Sequence, residues 1–302
     1  MQNLKRYDTI KKKERRNQKM AQIMDGKLLA SKIREELKQE VEQLKQENIY
    51  PRLAVIMVGG NPASKIYVRN KSKACDEIGI EYEEYLLEDT ITNDKLLGLI
   101  DKLNEKKEVH GILLQSPIPK QLDIIKAFER IHPDKDVDGF NPINVGKLNI
   151  GQDCFISCTP HGIIRMLEEY NIPIEGKEAV IIGRSNLVGK PLIQCLLTKN
   201  ATVTVCHSKT QHLEQITRRA DIVIAALGKA KFITADMIKE GATVVDVGIN
   251  RTEEGKLVGD VDFDAIEQKA SYITPVPGGV GPMTIAMLME NVVKAAKKQS
   301  IK

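Results

Sequence analysis

A chain of 302 residues, 42% hydrophobic and 28% charged, has room for two domains with separate cores and the composition of an ordinary globular protein. No stretch approaches the ~18 continuous apolar residues of a membrane-crossing helix, so no membrane partner is expected. The net charge of +4 misleads: residues 1–19 hold eight Lys/Arg and two Asp/Glu, a net +6, which leaves −2 on the remainder. A body of that charge, without Trp and with 4% aromatic residues, offers neither a phosphate-binding face nor a stacking platform, so no nucleic-acid partner is expected.

Residues 1–19 read as a disordered basic tail, without the apolar stretch of a secretory signal or the Ser-rich, acid-free character of a transit peptide. A cytoplasmic location is therefore expected. Met20 could itself be a start. The five cysteines are odd in number and lack tight pair spacing, which predicts reduced thiols. Cys154 and Cys158 have no neighbouring His or second Cys pair, so no metal site is expected there.

From Asp25 the pattern alternates between helix and strand. Residues 27–47 predict a charged amphipathic helix, and the apolar run 52–58 a strand buried on both faces. Gly59, Gly60 and Pro62 break it. A helix over 63–78, a strand over 81–87, a helix from 93 to about 105, a strand over 110–115 and a helical segment around 120–131 follow. Residues 132–160 are rich in turn formers and read as the join between two lobes. A helix from about 161 to 170 leads into a second alternating series, with strands at 179–182, 202–206, 222–226, 243–247 and near 272–274. The last helix, about 284–297, is expected to start at Thr284 and fold back on the first lobe. The fold class is α/β, with an N-terminal substrate lobe over 20–148 joined by the terminal helix 284–302, and a Rossmann-like parallel-sheet lobe over 149–283.

The turn after the strand at 179–182 begins with Gly183, Arg184 and Ser185 and reaches Gly189 and Pro191. Small residues at a strand–turn–helix junction let the backbone approach a pyrophosphate, although Ser185 stands where G-x-G-x-x-G has its second glycine. Alone, it reads equally well as a plain βα turn. The next strand ends in His207, Ser208, Lys209 and Thr210, with no carboxylate to repel a 2′-phosphate. With Arg184 nearby, this favours NADP over NAD. Leu227-Gly228 and residues 247–250 close later strands at their carboxyl ends, where open α/β sheets bind ligands.

Tyr67 and Lys71 are four apart and share one helix face. Such a pair is an ordinary feature of a solvated face, but other elements converge on it. Gln115 ends a buried strand, Asp138 sits in the turn 135–139, and the loop 275–282 combines three Pro with three Gly.

At these residues the chain resembles the bifunctional methylenetetrahydrofolate dehydrogenase/cyclohydrolase family. The matching stretches are residues 24–27, 58–71, 111–119, 135–140, 158–160, 183–191, 246–249 and 275–284, in order along almost the whole chain from Met20. Ser116 stands where the family commonly has Leu, and Ser157 where it commonly has Pro. The resemblance implies that Lys71 carries the proton transfers of the cyclohydrolase step, with Gln115 holding it. It implies that Tyr67 stacks on the p-aminobenzoyl ring and Asp138 binds the pterin edge. Pro277, Gly278 and Gly279 would wall the folate cleft, while Gly183, Arg184, Ser185, Ser208 and Ile249 would hold NADP. No metal is implied, and the oligomer would be a homodimer. The alternatives are a monofunctional dehydrogenase of that family, another two-lobed dehydrogenase of the shikimate or amino-acid type, and a non-catalytic nucleotide sensor.

Overall fold

The computed structural model describes residues 20–301, and the basic tail expected for residues 1–19 lies outside them. The first lobe opens with helix α1 (Gly26–Gln46), capped by the Asp25 carboxylate, which accepts from Leu28 N–H at 2.9 Å. Leu29, Ile33, Leu37, Val41 and Leu44 recur at helical spacing and form its buried stripe. Strand β2 (Arg52–Val58) lies at the centre of a parallel three-stranded sheet, between β3 (Glu81–Leu87) and β4 (Gly111–Gln115). Helices α2 (Pro62–Ile78) and α3 (Asn93–Glu105) make the crossovers, and α4 (Ile124–Arg130) follows β4. The continuous apolar run of β2 follows from burial on both faces: Val55 and Met57 face one core cluster, Ala54 and Ile56 the other.

The second lobe is a six-stranded parallel sheet in the order β1 (Gln22–Ile23), β11 (Tyr272–Ile273), β8 (Thr243–Asp246), β7 (Ile222–Ala225), β5 (Glu178–Ile182), β6 (Thr202–Cys206). Helix α5 (Pro142–Asn149) lies in the join, and α6 (Cys158–Glu169) leads out of it. Helix α7 (Gly189–Thr198) connects β5 to β6, and α8 (Leu213–Thr217) precedes β7. A short antiparallel pair, β9 (Asn250–Arg251) and β10 (Leu257–Val258), precedes α9 (Phe263–Ile266). Helix α10 (Val280–Ser300) returns to the first lobe and packs against α1, α6 and α2. One apolar cluster runs from Leu53 and Val55 through Leu29, Ile33, Met287 and Val292 to Ile181 and Ile224, joining the two lobes through α1, α6 and α10. Among the described residues no helix is long and apolar enough to cross a membrane.

Several expectations change. The strand at 22–23 pairs with β11 in the second sheet, although residues 20–148 were expected in the first lobe; two residues are too few to show a periodicity. Helix α10 starts at Val280 rather than Thr284, because Pro282 falls in the first helical turn, where its missing N–H costs nothing. Helix α5 stands inside the expected join of turns, capped by Asn141, whose Oδ1 accepts from Ile143 N–H at 2.8 Å. Helix α6 begins at Cys158, three residues before its expected start.

Candidate active site

Helix α2 buries Val68, Ala74, Cys75 and Ile78 against the first sheet, and this fixes the neighbouring face that carries Tyr67 and Lys71. Lys71 is only 9% exposed, and its Nζ donates to Gln115 Oε1 at 2.9 Å. Gln115 ends β4 and donates from Nε2 to the Ser116 carbonyl at 2.7 Å, so both ends of its amide are fixed. Burial pushes the Lys71 ammonium below the usual lysine range, partly opposed by the negative charge of Asp138. Burial pushes the Asp138 carboxyl up, and the Lys71 charge and the Cys158 thiol oppose that rise. Each group thus opposes the effect of burial on the other.

The turn that presents Asp138 divides its labour residue by residue. Lys135 is buried and donates from Nζ to the carbonyls of Leu103, Asn104 and Lys106 at 3.0, 2.8 and 2.6 Å, closing the end of α3. The Asp136 carboxylate accepts from Phe140 N–H, Asn141 N–H and Asn144 Nδ2 at 3.1, 2.8 and 2.9 Å. Burial pushes its pKa up to about 6. Val137 is core, and Gly139 has φ +74°, with its position so close to residues 155–157 that a Cβ would lie 2.7 Å from Ser157 N. Only Asp138 of the five reaches the cavity. From α10, Asn291 Nδ2 donates to the carbonyls of Val137 and Ile156 at 2.8 and 3.1 Å, clamping both chains that flank the site. Asn291, Lys135 and Asp136 escaped the sequence reading because their partners are backbone carbonyls and amides, which leave no residue pattern.

A cavity of about 350 Å³ joins the lobes here. Tyr67, Lys71, Gln115, Ser116 and Asp138 line it from the first lobe, and Leu187, Val188, Val247 and Ile249 from the second. Ser157, Thr159, Val280, Gly281 and Thr284 line the seam between them, where Thr159 Oγ1 and Thr284 Oγ1 are hydrogen-bonded at 2.9 Å. Of the lining residues, Tyr67 is 41% exposed, and Ile249 from the other lobe is exposed as well.

Pro277, Gly278 and Gly279 do not line this cavity. The Gly278 carbonyl accepts from Lys27 N–H at 2.9 Å, and a Cβ on Gly26 would lie 2.7 Å from the Gly279 carbonyl carbon. The close approach thus requires the glycine at 26, while Gly278 has φ +108° and a Cβ on Gly279 would lie 2.5 Å from the Pro275 carbonyl oxygen, so the loop's own turn requires these two; the residues lining the cavity begin at Val280.

Gly183, Arg184, Ser185 and Ser208 lie at the carboxyl ends of β5 and β6, beyond the cavity. Gly183 N–H donates to the Cys206 carbonyl at 2.9 Å, which brings the two strand ends side by side. Gly183 has φ +138°, and a Cβ there would lie 3.0 Å from the Ala226 carbonyl carbon. A Cβ at Gly189 would lie 2.8 Å from Arg184 Cα. Ser185 Oγ accepts from Val188 and Gly189 N–H at 3.1 and 3.4 Å, so the residue that breaks the glycine pattern shapes the turn. Arg184 and Ser208 are exposed, and no carboxylate stands at the end of β6. A tight small-residue turn with an exposed guanidinium and hydroxyl at the strand ends fits a phosphorylated dinucleotide.

Two buried carboxylates hold the loops after β7 and β8. Asp260 accepts from the N–H groups of Leu227, Gly228 and Lys229 at 2.6, 2.9 and 2.8 Å, and from Asn250 Nδ2 at 2.9 Å. Asp246 accepts from the N–H groups of Gly248, Asp260 and Val261 at 2.9, 2.9 and 3.0 Å. Burial pushes its pKa up to about 6. All five cysteines are unpaired and buried.

The resemblance seen in the residues extends to whole domains. The family model "Tetrahydrofolate dehydrogenase/cyclohydrolase, catalytic domain" matches residues 24–138, and its partner "NAD(P)-binding domain" matches residues 157–300. The chain is 57% identical over 280 residues to the bifunctional protein FolD of Acetivibrio thermocellus, covering 93% of this chain and 98% of that one. It superposes on the crystal structure of the bifunctional FolD enzyme of Campylobacter jejuni with a TM-score of 0.91 at 54% identity, covering 92% of this chain and 99% of that one. The Trypanosoma brucei enzyme, solved with NADP cofactor and inhibitor, gives 0.90 at 36% identity, covering 94% and 99%. With both domain models matched in order around a buried lysine–glutamine pair, the chain belongs to the tetrahydrofolate dehydrogenase/cyclohydrolase family.

Proposed function

We propose that this protein oxidises 5,10-methylenetetrahydrofolate to the 5,10-methenyl form with NADP and then hydrolyses that product to 10-formyltetrahydrofolate. The observation that carries this reading is the buried Lys71–Gln115 pair inside a cavity that the dinucleotide turn completes from the other lobe. Asp138 binds the amino-pyrimidine edge of the pterin, where one carboxylate matches two adjacent N–H donors. Tyr67 stacks on the p-aminobenzoyl ring. Gly183, Arg184, Ser185, Ser208 and Ile249 hold NADP, which when bound supplies the acceptor for the hydride on the methylene carbon. The protein's contribution to that step is orientation and exclusion of water.

Hydrolysis draws on Lys71. Burial raises its neutral fraction, so Nζ can take a proton from the water that adds to the methenyl carbon. The resulting ammonium returns that proton to N5 as the carbon–N5 bond breaks, and the carbinol O–H gives its proton to solvent as the carbonyl forms, leaving the formyl group on N10 and releasing one proton overall. Gln115 keeps Nζ in place through both transfers. The direct test is spectroscopic. Methenyltetrahydrofolate loses its absorbance on adding the protein without any cofactor, and methylenetetrahydrofolate yields NADPH on adding NADP. NADPH formation without cofactor-free hydrolysis would leave a monofunctional dehydrogenase.

Two finer points belong to the same reading. Arg184→Ala raises the KM for NADP about tenfold and leaves that for NAD nearly unchanged, because only the 2′-phosphate loses a charge-assisted partner; equal changes for both cofactors would remove Arg184 from that role. The protein acts in the cytoplasm as a homodimer, formed through strand β3. That strand is seven residues long and stands at the edge of its sheet with Leu86 63% exposed. Sedimentation at micromolar concentration is expected to give twice the chain mass, and Leu86→Lys to give the single chain.

A further inference from the structure

We propose that Ser157 is a positioning residue whose hydroxyl pins the dinucleotide turn to the start of α6 and thereby sets the affinity for NADP. Serine at the residue before a helix ordinarily accepts a hydrogen bond from the helix's own first amides. Ser157 occupies that place before α6, yet its side chain makes no capping bond. Its Oγ instead donates to the Leu187 carbonyl, 30 residues away, at 2.8 Å. Ser157 is 2% exposed and lines the cavity together with Leu187 and Val188.

Both ends of this contact explain its leverage. On one side the chain at Ser157 is fixed: Asn291 of α10 holds the Ile156 carbonyl, and the Gly139 backbone packs against Ser157 N. On the other side the turn is tied to strand β6 at its first residue, where Gly183 N–H donates to the Cys206 carbonyl, and is bonded within itself through Ser185 to Val188, Gly189 and Lys190. Val188 precedes α7 without a side-chain cap of its own. Among the described residues, the Ser157 hydroxyl makes the one side-chain hydrogen bond that reaches residues 184–188 from outside the turn and its helix. It therefore transmits the position of the folate side of the site to the backbone that faces the pyrophosphate.

The inference rests on the proposed NADP role of that turn. Because the hydroxyl caps nothing, Ser157→Ala removes the tether without uncapping α6. Calorimetric titration with NADP is expected to give a Kd about fivefold higher for the variant, the loss of one neutral hydrogen bond. The melting temperature of the cofactor-free variant, read on the same preparations, is expected to stay within about 2 °C of the parent. An unchanged Kd overturns the proposal. So does a clearly lowered melting temperature of the cofactor-free variant, which would make Ser157 a general scaffold residue. A parent protein that takes up no NADP would instead overturn the reading of the turn itself.

Discussion

Replacing Lys71 with methionine is expected to lower methenyltetrahydrofolate hydrolysis by about 10²–10⁴-fold, the range for loss of a positioned proton-transfer group, while NADP reduction is at least partly retained. The side chains are similar in length, so the cavity keeps its shape and only the amine is lost. The pH dependence carries the same signature. Hydrolysis rises as Lys71 loses its proton, and burial places that limb below the ordinary lysine value of 10.5. The Asp138 charge holds the lysine pKa up, so Asp138→Asn moves the limb to lower pH, alongside weaker folate binding.

On substitution of Lys71, stability should move the opposite way to activity. The folded-state pKa of Lys71 is lowered, so below the ordinary lysine value the unfolded chain binds more protons than the folded one or holds the same proton more tightly. The buried amine thus costs stability at neutral pH, and the cost fades as pH rises toward 10.5. Lys71→Met is expected to melt no lower than the parent at pH 7. Hydrolysis that survives in a well-folded variant would end the assignment.

Asp260→Ala has the largest expected effect on stability. The carboxylate is fully buried and accepts four hydrogen bonds from the loops after β7 and β8. Its removal strands three main-chain donors and an amide, a loss of about 3–5 kcal/mol. For a chain of this size that lowers the melting temperature by about 10 °C. Val247 and Ile249 lie in one of these loops and line the cavity. NADP reduction should therefore fall more than cofactor-free hydrolysis. Differential scanning calorimetry with both assays checks this, and a melting temperature within about 2 °C of the parent would show that water can replace the carboxylate.

Much of the architecture could be read from local pattern. The apolar run of β2, the amphipathic stripe of α1 and the α/β alternation each follow from a few neighbouring residues whose period declares their partner surface. The pairing of Tyr67 with Lys71 followed from helical geometry, and the lean toward NADP from the missing carboxylate after β6. The functional reading went further than spacing allows, because ordered stretches along the whole chain matched a known family.

Other features depend on contacts between distant residues, which no local period encodes. Strand β1 is two residues long and exists because β11, some 250 positions later, offers it an edge. The glycines of the 275–282 loop read as a ligand wall, but Gly278 and Gly279 are set by the loop's own turn against Thr274 and Pro275, and the cavity lining begins at Val280 and Gly281. The sequence by itself determined the two sheet-based lobes and the chemical groups available at their junction. Only the tertiary structure decided that Lys71 loses its water, that Gln115 fixes it and that Ser157 bonds the dinucleotide turn instead of capping its own helix, because burial and hydrogen-bond direction are properties of the packed chain.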